Sequence, residues 1–215
     1  MRPDLPQTIC MAMVWTYWSC VAILVVRSRL RFRTSAGGMP RTGAERRMWL
    51  LWAPTVLLWN ILPATRSSHL FLTPWPAVAA SPLAVPVRWA AAGCAALAFA
   101  GTVPCWLRMG ANWSMAIVPR KTAQLITGGM FAAVRHPIYA WSMLLMAATV
   151  AAFPSPAMAA VACVHVCMLV LKALGEERFL LQLHGQVYAD YCRRTGRFFP
   201  RITLGRDTSS LRPAA

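Results

Sequence analysis

Acidic residues are nearly absent: six Asp and Glu stand in 215 residues, and all charged residues together make up 13% of the chain. A soluble globular domain carries about twice that charged share, so a fully solvated surface is excluded. Low hydrophobicity, the mark of disordered chains, is missing too, since 58% of the residues are hydrophobic. Paired cysteine spacings of the zinc-site kind are also missing. The seven cysteines (Cys10, Cys20, Cys94, Cys105, Cys163, Cys167 and Cys192) fall mostly inside apolar runs and read as small buried thiols. Cys163, His165 and Cys167 do not make a ligand set on a helix. Positions i and i+4 share a face there, whereas i+2 points away. A cleavable signal peptide is not expected, because the first apolar stretch is long and an Arg-rich stop follows it where a cleavage site would lie.

What is present is base and bulk. The chain has 22 Lys and Arg for a net charge of +16, with 10 Trp, 12 Met and a mean hydropathy of +0.48. A soluble nucleic-acid binder does not combine such charge with such hydropathy. The bases must therefore cluster between long neutral segments, which is the profile of an integral membrane protein.

The apolar runs are Ile9 to Val26, Met48 to Thr65 (interrupted by Pro54 and Pro63), Trp89 to Leu107, and a long run from Ile138 to Leu171. Phe153-Pro154-Ser155-Pro156 breaks the last one, because two close prolines stop a helix. That predicts a tight hairpin of helices over 138–153 and 157–174. Residues 66–88 are apolar but hold Pro74, Pro76, Pro82 and Pro86, which argues against a straight span. The expected fold is all-α, with about five transmembrane helices, a C-terminal helical hairpin and an amphipathic cytoplasmic C-terminal helix. A sixth span is the alternative.

The bases test that count. Nineteen of the 22 lie in three stretches: Arg27 to Arg47, Arg108 to Arg135, and Lys172 to Arg212. Arg2, Arg66 and Arg88 are left for the other side. The positive-inside rule then places the N-terminus outside and the C-terminus in the cytoplasm, expected here for a bacterial inner membrane. Asn112-Trp113-Ser114 has the form of a glycosylation sequon, but on this topology it is cytoplasmic and unmodified.

Rare polar residues cluster twice. The first cluster is Leu125-Ile126-Thr127-Gly128-Gly129-Met130-Phe131, followed by Val134-Arg135-His136-Pro137-Ile138-Tyr139. Pro137 suits a first helical turn, where its missing N–H costs nothing. His136 and Tyr139 then look out on a similar side. The second cluster runs Lys172, Glu176-Glu177, Gly185, Tyr188 and Tyr191. Each feature alone has a plain explanation. His136 and Tyr139 can be interfacial anchors, the glutamates a solvated helix end, Lys172 a snorkelling side chain, and the two tyrosines the apolar face of a surface helix.

Taken in order, Arg-His-Pro-x-Tyr, Glu-Glu, Gly-x-x-Tyr-x-x-Tyr and Thr195-Gly196-Arg197-Phe198-Phe199-Pro200 resemble the isoprenylcysteine carboxyl methyltransferases, relatives of the membrane phospholipid methyltransferases. The resemblance covers residues from about 105 to 201. It implies an S-adenosylmethionine-dependent methyltransferase built inside the membrane. It implies cofactor contacts at Leu125, Ile126, Phe131, Arg135, His136, Pro137, Ile138, Tyr139, Glu176 and Glu177. Lys172 and Glu176 are the residues expected to carry the reaction, with Lys172, Asn112 and Trp141 on the substrate side and no metal. The expected organisation is 1–104 as N-terminal membrane helices, 105–201 as the methyltransferase region, and 202–215 as a flexible tail. The implied partners are the bilayer and a lipophilic or prenylated acceptor, not nucleic acid.

The chain departs from the family's usual pattern at Met130, Ala132, Trp141 and His184, and in having Lys172 for Arg. Trp141 adds bulk one turn into the helix and is expected to narrow the acceptor tunnel. An NADPH-dependent sterol-type reductase and a catalytically idle scaffold are the alternatives on a similar fold. The topology carries its own test. Cysteine labels or reporter fusions at residues 36 and 210 should both report the cytoplasmic side, and an outside signal at either overturns it.

Overall fold

The computed structural model describes residues 3–32, 43–65, 71–110, 113 and 125–201. They form helices α1 (Leu5–Phe32), α2 (Gly43–Ile61), α3 (Pro76–Ala79), α4 (Ala84–Met109), α5 (Pro137–Ala152), α6 (Pro156–His184) and α7 (Gln186–Arg194). Two short 3-10 turns lie at Leu62–Ala64 and Gly129–Ala132. Among the described residues there is no strand. Leu5–Ser28, Ala84–Met109 and Pro156–His184 are long and apolar enough to cross a bilayer, and α5 is apolar but shorter. The chain is an all-helical membrane protein. Asn112 and the tail 202–215 lie outside the described residues.

Helix packing follows from small side chains. Ala91, Ala95, Ala98, Thr102 and Cys105 form a buried stripe on α4 at spacings of three and four. Small residues let helix backbones approach closely where lipid supplies no hydrophobic drive. α5 presents Leu145, Ala148, Thr149 and Ala152, and α1 adds Cys10, Val14, Tyr17 and Val21. Trp59 of α2 is fully buried and donates its indole N–H to Thr149 Oγ1 at 3.0 Å.

The 153–156 hairpin turn forms where two prolines demanded it. Ser155 caps α6 by accepting from the Met158 N–H at 3.3 Å, with Pro156 in the first turn. α1 starts with a reciprocal cap. Asp4 N–H donates to Gln7 Oε1 at 3.1 Å and Gln7 N–H to Asp4 Oδ1 at 3.0 Å. Gln7 Nε2 reaches the carbonyl of Ala152 at 2.8 Å, and Arg88 pairs with Asp4 at 2.9 Å. The starts of α1 and α4 and the hairpin turn therefore share one end of the bundle.

The described part of 66–88 does not cross the bundle. Trp75 N–H donates to the Pro154 carbonyl at 2.9 Å and Ala157 N–H to that of Phe71 at 3.1 Å. The stretch is laid on the hairpin tip. The second hairpin arm differs from its expected end at 174, because α6 runs on to His184. At ~1.5 Å per residue its 29 residues exceed a ~30 Å hydrocarbon layer. The last turns leave the apolar zone as helix, since Glu176 and Glu177 find side-chain partners there. Gly185 then ends α6 with φ of 53°, a left-handed conformation that favours glycine, and α7 turns away.

Trp141 is seated on Gly101 of α4, where an added Cβ would collide with the indole ring. Gly101→Val should therefore cost about 1–3 kcal/mol through overpacking, read as a lowered melting temperature in detergent. Trp141→Ala in the same background should recover part of the loss.

Candidate functional site

The turn before α5 is built by pairing with the chain after α7. Arg135 N–H donates to the Gly196 carbonyl at 2.8 Å, His136 N–H to that of Arg197 at 3.0 Å, and Gly196 N–H to that of Ala133 at 3.2 Å. A side chain at Gly196 would collide with the Phe199 carbonyl, so only glycine fits the turn that 196–199 makes beside residues 133–136. Tyr191 of α7 donates to the Phe131 carbonyl at 2.6 Å. Burial pushes the Tyr191 hydroxyl up to about 12, which keeps it a donor at neutral pH. Tyr188 and Tyr191 are thus packed into the protein rather than turned to lipid.

Glu177 and Glu176 are adjacent, so their side chains leave α6 about 100° apart. Glu177 faces the C-terminal segment. Its Oε1 accepts from Arg135 Nε at 2.9 Å and Arg197 Nε at 3.0 Å, and its Oε2 from Arg197 Nη2 at 2.7 Å. Those hydrogen bonds raise the Arg197 guanidinium above its already high value, so it stays cationic. Arg135 also donates to the carbonyls of Cys192 and Thr195, closing the end of α7.

Glu176 faces a cavity of about 260 Å³, near the lower end of the ~300–1,000 Å³ range of small-molecule sites. Tyr139 donates to Glu176 Oε1 at 2.5 Å. Lys172 Nζ lies 3.9 Å from the same oxygen and 5.3 Å from the Tyr139 ring centroid. His136 bridges both glutamates, with Nδ1 3.5 Å from Glu176 Oε2 and Nε2 3.3 Å from Glu177 Oε1. The His136 and Tyr139 rings stack, 5.3 Å apart and 4° from parallel.

Leu125, Ile126, Phe131, Arg135, His136, Pro137, Ile138 and Tyr139 all line this cavity, as do Lys172 and Glu176. Glu177 is not on its wall, because Arg135 and Arg197 draw it to the other side of the helix. Trp141 is not on the wall either, since it occupies the space left by Gly101. Asn112 is outside the described residues; its neighbour Trp113 is buried and lines the cavity. Cys163 and Cys167 are exposed while His165 is fully buried, so the three do not converge. Among the described residues no group of three His, Cys, Asp or Glu could hold a metal ion.

Sequence reasoning missed the other half of the wall. Tyr17, Trp18, Trp49, Trp52 and Trp106 line it from α1, α2 and α4, and His165, Met168 and Leu169 from α6. No local motif marks them. One signal was available, because the chain has only four tyrosines and all four line the cavity. Five buried polar atoms without a partner among the described residues sit on residues of the wall: Trp18 Nε1, Trp106 Nε1, His165 Nδ1, His184 Nε2 and Tyr188 Oη. Unpaired buried polar atoms are costly, and these gather on the wall of one cavity.

Residues 89–187 match the phospholipid methyltransferase family. That is a membrane methyltransferase family related to the isoprenylcysteine carboxyl methyltransferases, in agreement with the resemblance seen in the motifs. The chain is 30% identical over 103 residues to the nickel-cobalt-cadmium resistance protein NccN of Alcaligenes xylosoxydans xylosoxydans, covering 47% of this chain and 48% of that protein. It is 33% identical over 104 residues to the cobalt-zinc-cadmium resistance protein CzcN of Cupriavidus metallidurans, with the same coverage. The matched region spans about half the length of these curated relatives.

Removing the Glu177 carboxylate leaves two guanidinium groups and an imidazole without their shared anion. Exposure of its side chain is 13%, with Arg135 at 11% and Arg197 at 37%. Glu177→Ala should therefore cost about 2 kcal/mol, between a surface pair and a buried one. Tryptic cleavage after Arg197 and Arg201 should accelerate. Unchanged cleavage would mean that backbone pairing alone holds the segment.

Proposed function

We propose that this chain is an S-adenosylmethionine-dependent methyltransferase that acts on a lipophilic acceptor at the membrane, with a carboxylate as the acceptor group. One observation carries this: a single cavity joins a polar end at Glu176, His136, Tyr139 and Lys172 to an aromatic end at Trp18, Trp52 and Trp106. A polar methyl donor and an apolar acceptor need such a two-sided chamber.

The residues at the polar end fit the donor. Glu176 can accept from ribose hydroxyls or the amino group, and Arg135 or His136 can meet the donor's carboxylate. Phe131 and Tyr139 offer ring faces to a cation away from water. His184 Nε2 is a buried polar atom on the same wall without a partner, which a polar ligand can satisfy. S-adenosylmethionine supplies an electrophilic methyl on a sulfonium. An acceptor carboxylate oxygen provides the electron pair, the carbon–sulfur bond breaks, and the sulfur leaves as a neutral thioether with no proton moved. The protein's work is then alignment and exclusion of water rather than acid–base chemistry.

Lys172 lies beside Glu176 and over Tyr139, and its ammonium can hold the acceptor carboxylate as a point charge. On the expected topology the polar end opens to the cytoplasm and the acceptor enters between helices from the bilayer. Residues 105–201 are proposed as the catalytic region, with the helices before them completing the acceptor chamber.

Binding of radiolabelled S-adenosylmethionine and of NADPH to the purified protein tests this against the reductase alternative. Binding of the first alone supports it, and binding of NADPH alone overturns it. His136→Ala and Glu176→Gln should each weaken S-adenosylmethionine binding by ~1.5–3 kcal/mol, the scale of a hydrogen bond to a charged group, with folded protein retained. Wild-type binding in both would place the site elsewhere. Lys172→Met should raise the acceptor KM or lower turnover with donor affinity nearly unchanged. Loss of donor binding would instead assign Lys172 to the support of Glu176.

A further inference from the structure

His165 sits fully buried on α6, on the cavity wall and deep within an apolar helix. Its Nε2 lies 3.0 Å from Ser142 Oγ of α5, while its Nδ1 has no partner among the described residues. Trp59 packs edge-on against it with centroids 4.8 Å apart. Trp59 continues to Trp18 at 5.6 Å, Trp18 to Tyr17 at 5.3 Å, and Tyr17 to Trp106 at 5.2 Å. This wall also carries two unpartnered indole nitrogens, those of Trp18 and Trp106. A plain hydrocarbon tail would leave all three nitrogens unpaired in a dry site, which protein interiors avoid.

We propose that this inner end of the cavity is an acceptor subsite for a hydroxyl carried on the acceptor's apolar body, with His165 Nδ1 as its hydrogen-bond partner. The inference rests on the methyltransferase reading and adds a second recognition element to it. A hydroxyl suits either tautomer of His165, since it both donates and accepts, and its lone pairs can also take an indole N–H. His165 and Lys172 are seven residues apart, two turns along the same face of α6. Their separation along the axis is about 10 Å, so the acceptor carries its carboxylate and its hydroxyl at opposite ends of a chain of that reach.

The test uses 10-hydroxydecanoic acid and decanoic acid as matched probes. The full chain in lipid nanodiscs is titrated with each by tryptophan fluorescence, at free concentrations corrected for partition into lipid. The hydroxy acid should bind about fivefold more tightly or better, the scale of one satisfied hydrogen bond. His165→Phe keeps a ring against Trp59 and should abolish the preference. Trp106→Phe removes the N–H together with part of the indole ring and should reduce the preference about twofold, and it carries the test if His165→Phe does not fold. Equal binding of the two acids to the wild type overturns the proposal and leaves water as the partner of His165. A preference that survives in folded His165→Phe, or that is undiminished in Trp106→Phe, overturns it too. Labelled S-adenosylmethionine is bound to the same nanodiscs in parallel. Loss of the hydroxyl preference with donor binding intact sinks this inference alone, whereas absent donor binding sinks the methyltransferase reading.

Discussion

The Glu177 carboxylate is the point on which the site depends. It gathers Arg135 from the turn before α5, Arg197 from the segment after α7, and one nitrogen of His136. Without it, the two guanidinium groups would repel one another at the end of the bundle. With it, the chain after α7 is held against residues 133–136 and His136 is turned so that its other nitrogen faces Glu176. One carboxylate organises the end, and its neighbour on the helix is thereby left to face the cavity.

That division explains why so few acids suffice. Each buried carboxylate needs cationic or hydrogen-bonding partners, and each partner must come from a different element if the ends of the helices are to be joined. Asp4 does the corresponding work at the opposite end, where it caps α1 and pairs with Arg88 of α4. The spans between rely on small-residue stripes and on aromatic packing, which need no charge.

The bundle was legible in the sequence because membrane spans must be charge-free and long, and because Pro154 and Pro156 can only mark a turn. The ends of helices were less so. Charge-free runs report the lipid-facing length, whereas α6 continues past Leu174 through Glu176, Glu177 and Arg178, which are ordinary helix formers once partnered. The polar half of the cavity was legible from ordered motifs, since residues 125–139 and 172–176 lie close in sequence. The aromatic half was not. Tyr17, Trp52 and Trp106 come from three separated helices, and nothing local distinguishes them from the chain's other aromatic residues. Glu177 and Trp141 were grouped with cavity residues by their neighbours in sequence. The opposite face of α6 and the gap at Gly101 claim them instead.

The placement of Lys172 follows from the same geometry. It stands one turn before Glu176 on α6, at the boundary between the carboxylate end and the aromatic end of the chamber. An ammonium there balances Glu176 without filling the space beside it, because it lies over the face of Tyr139. A guanidinium would grip Glu176 with two prongs and extend farther across the cavity. Lysine leaves room, and that room adjoins the wall that carries His165 and the indole nitrogens. On the proposed reading, Lys172 and the wall that carries His165 serve two ends of one acceptor.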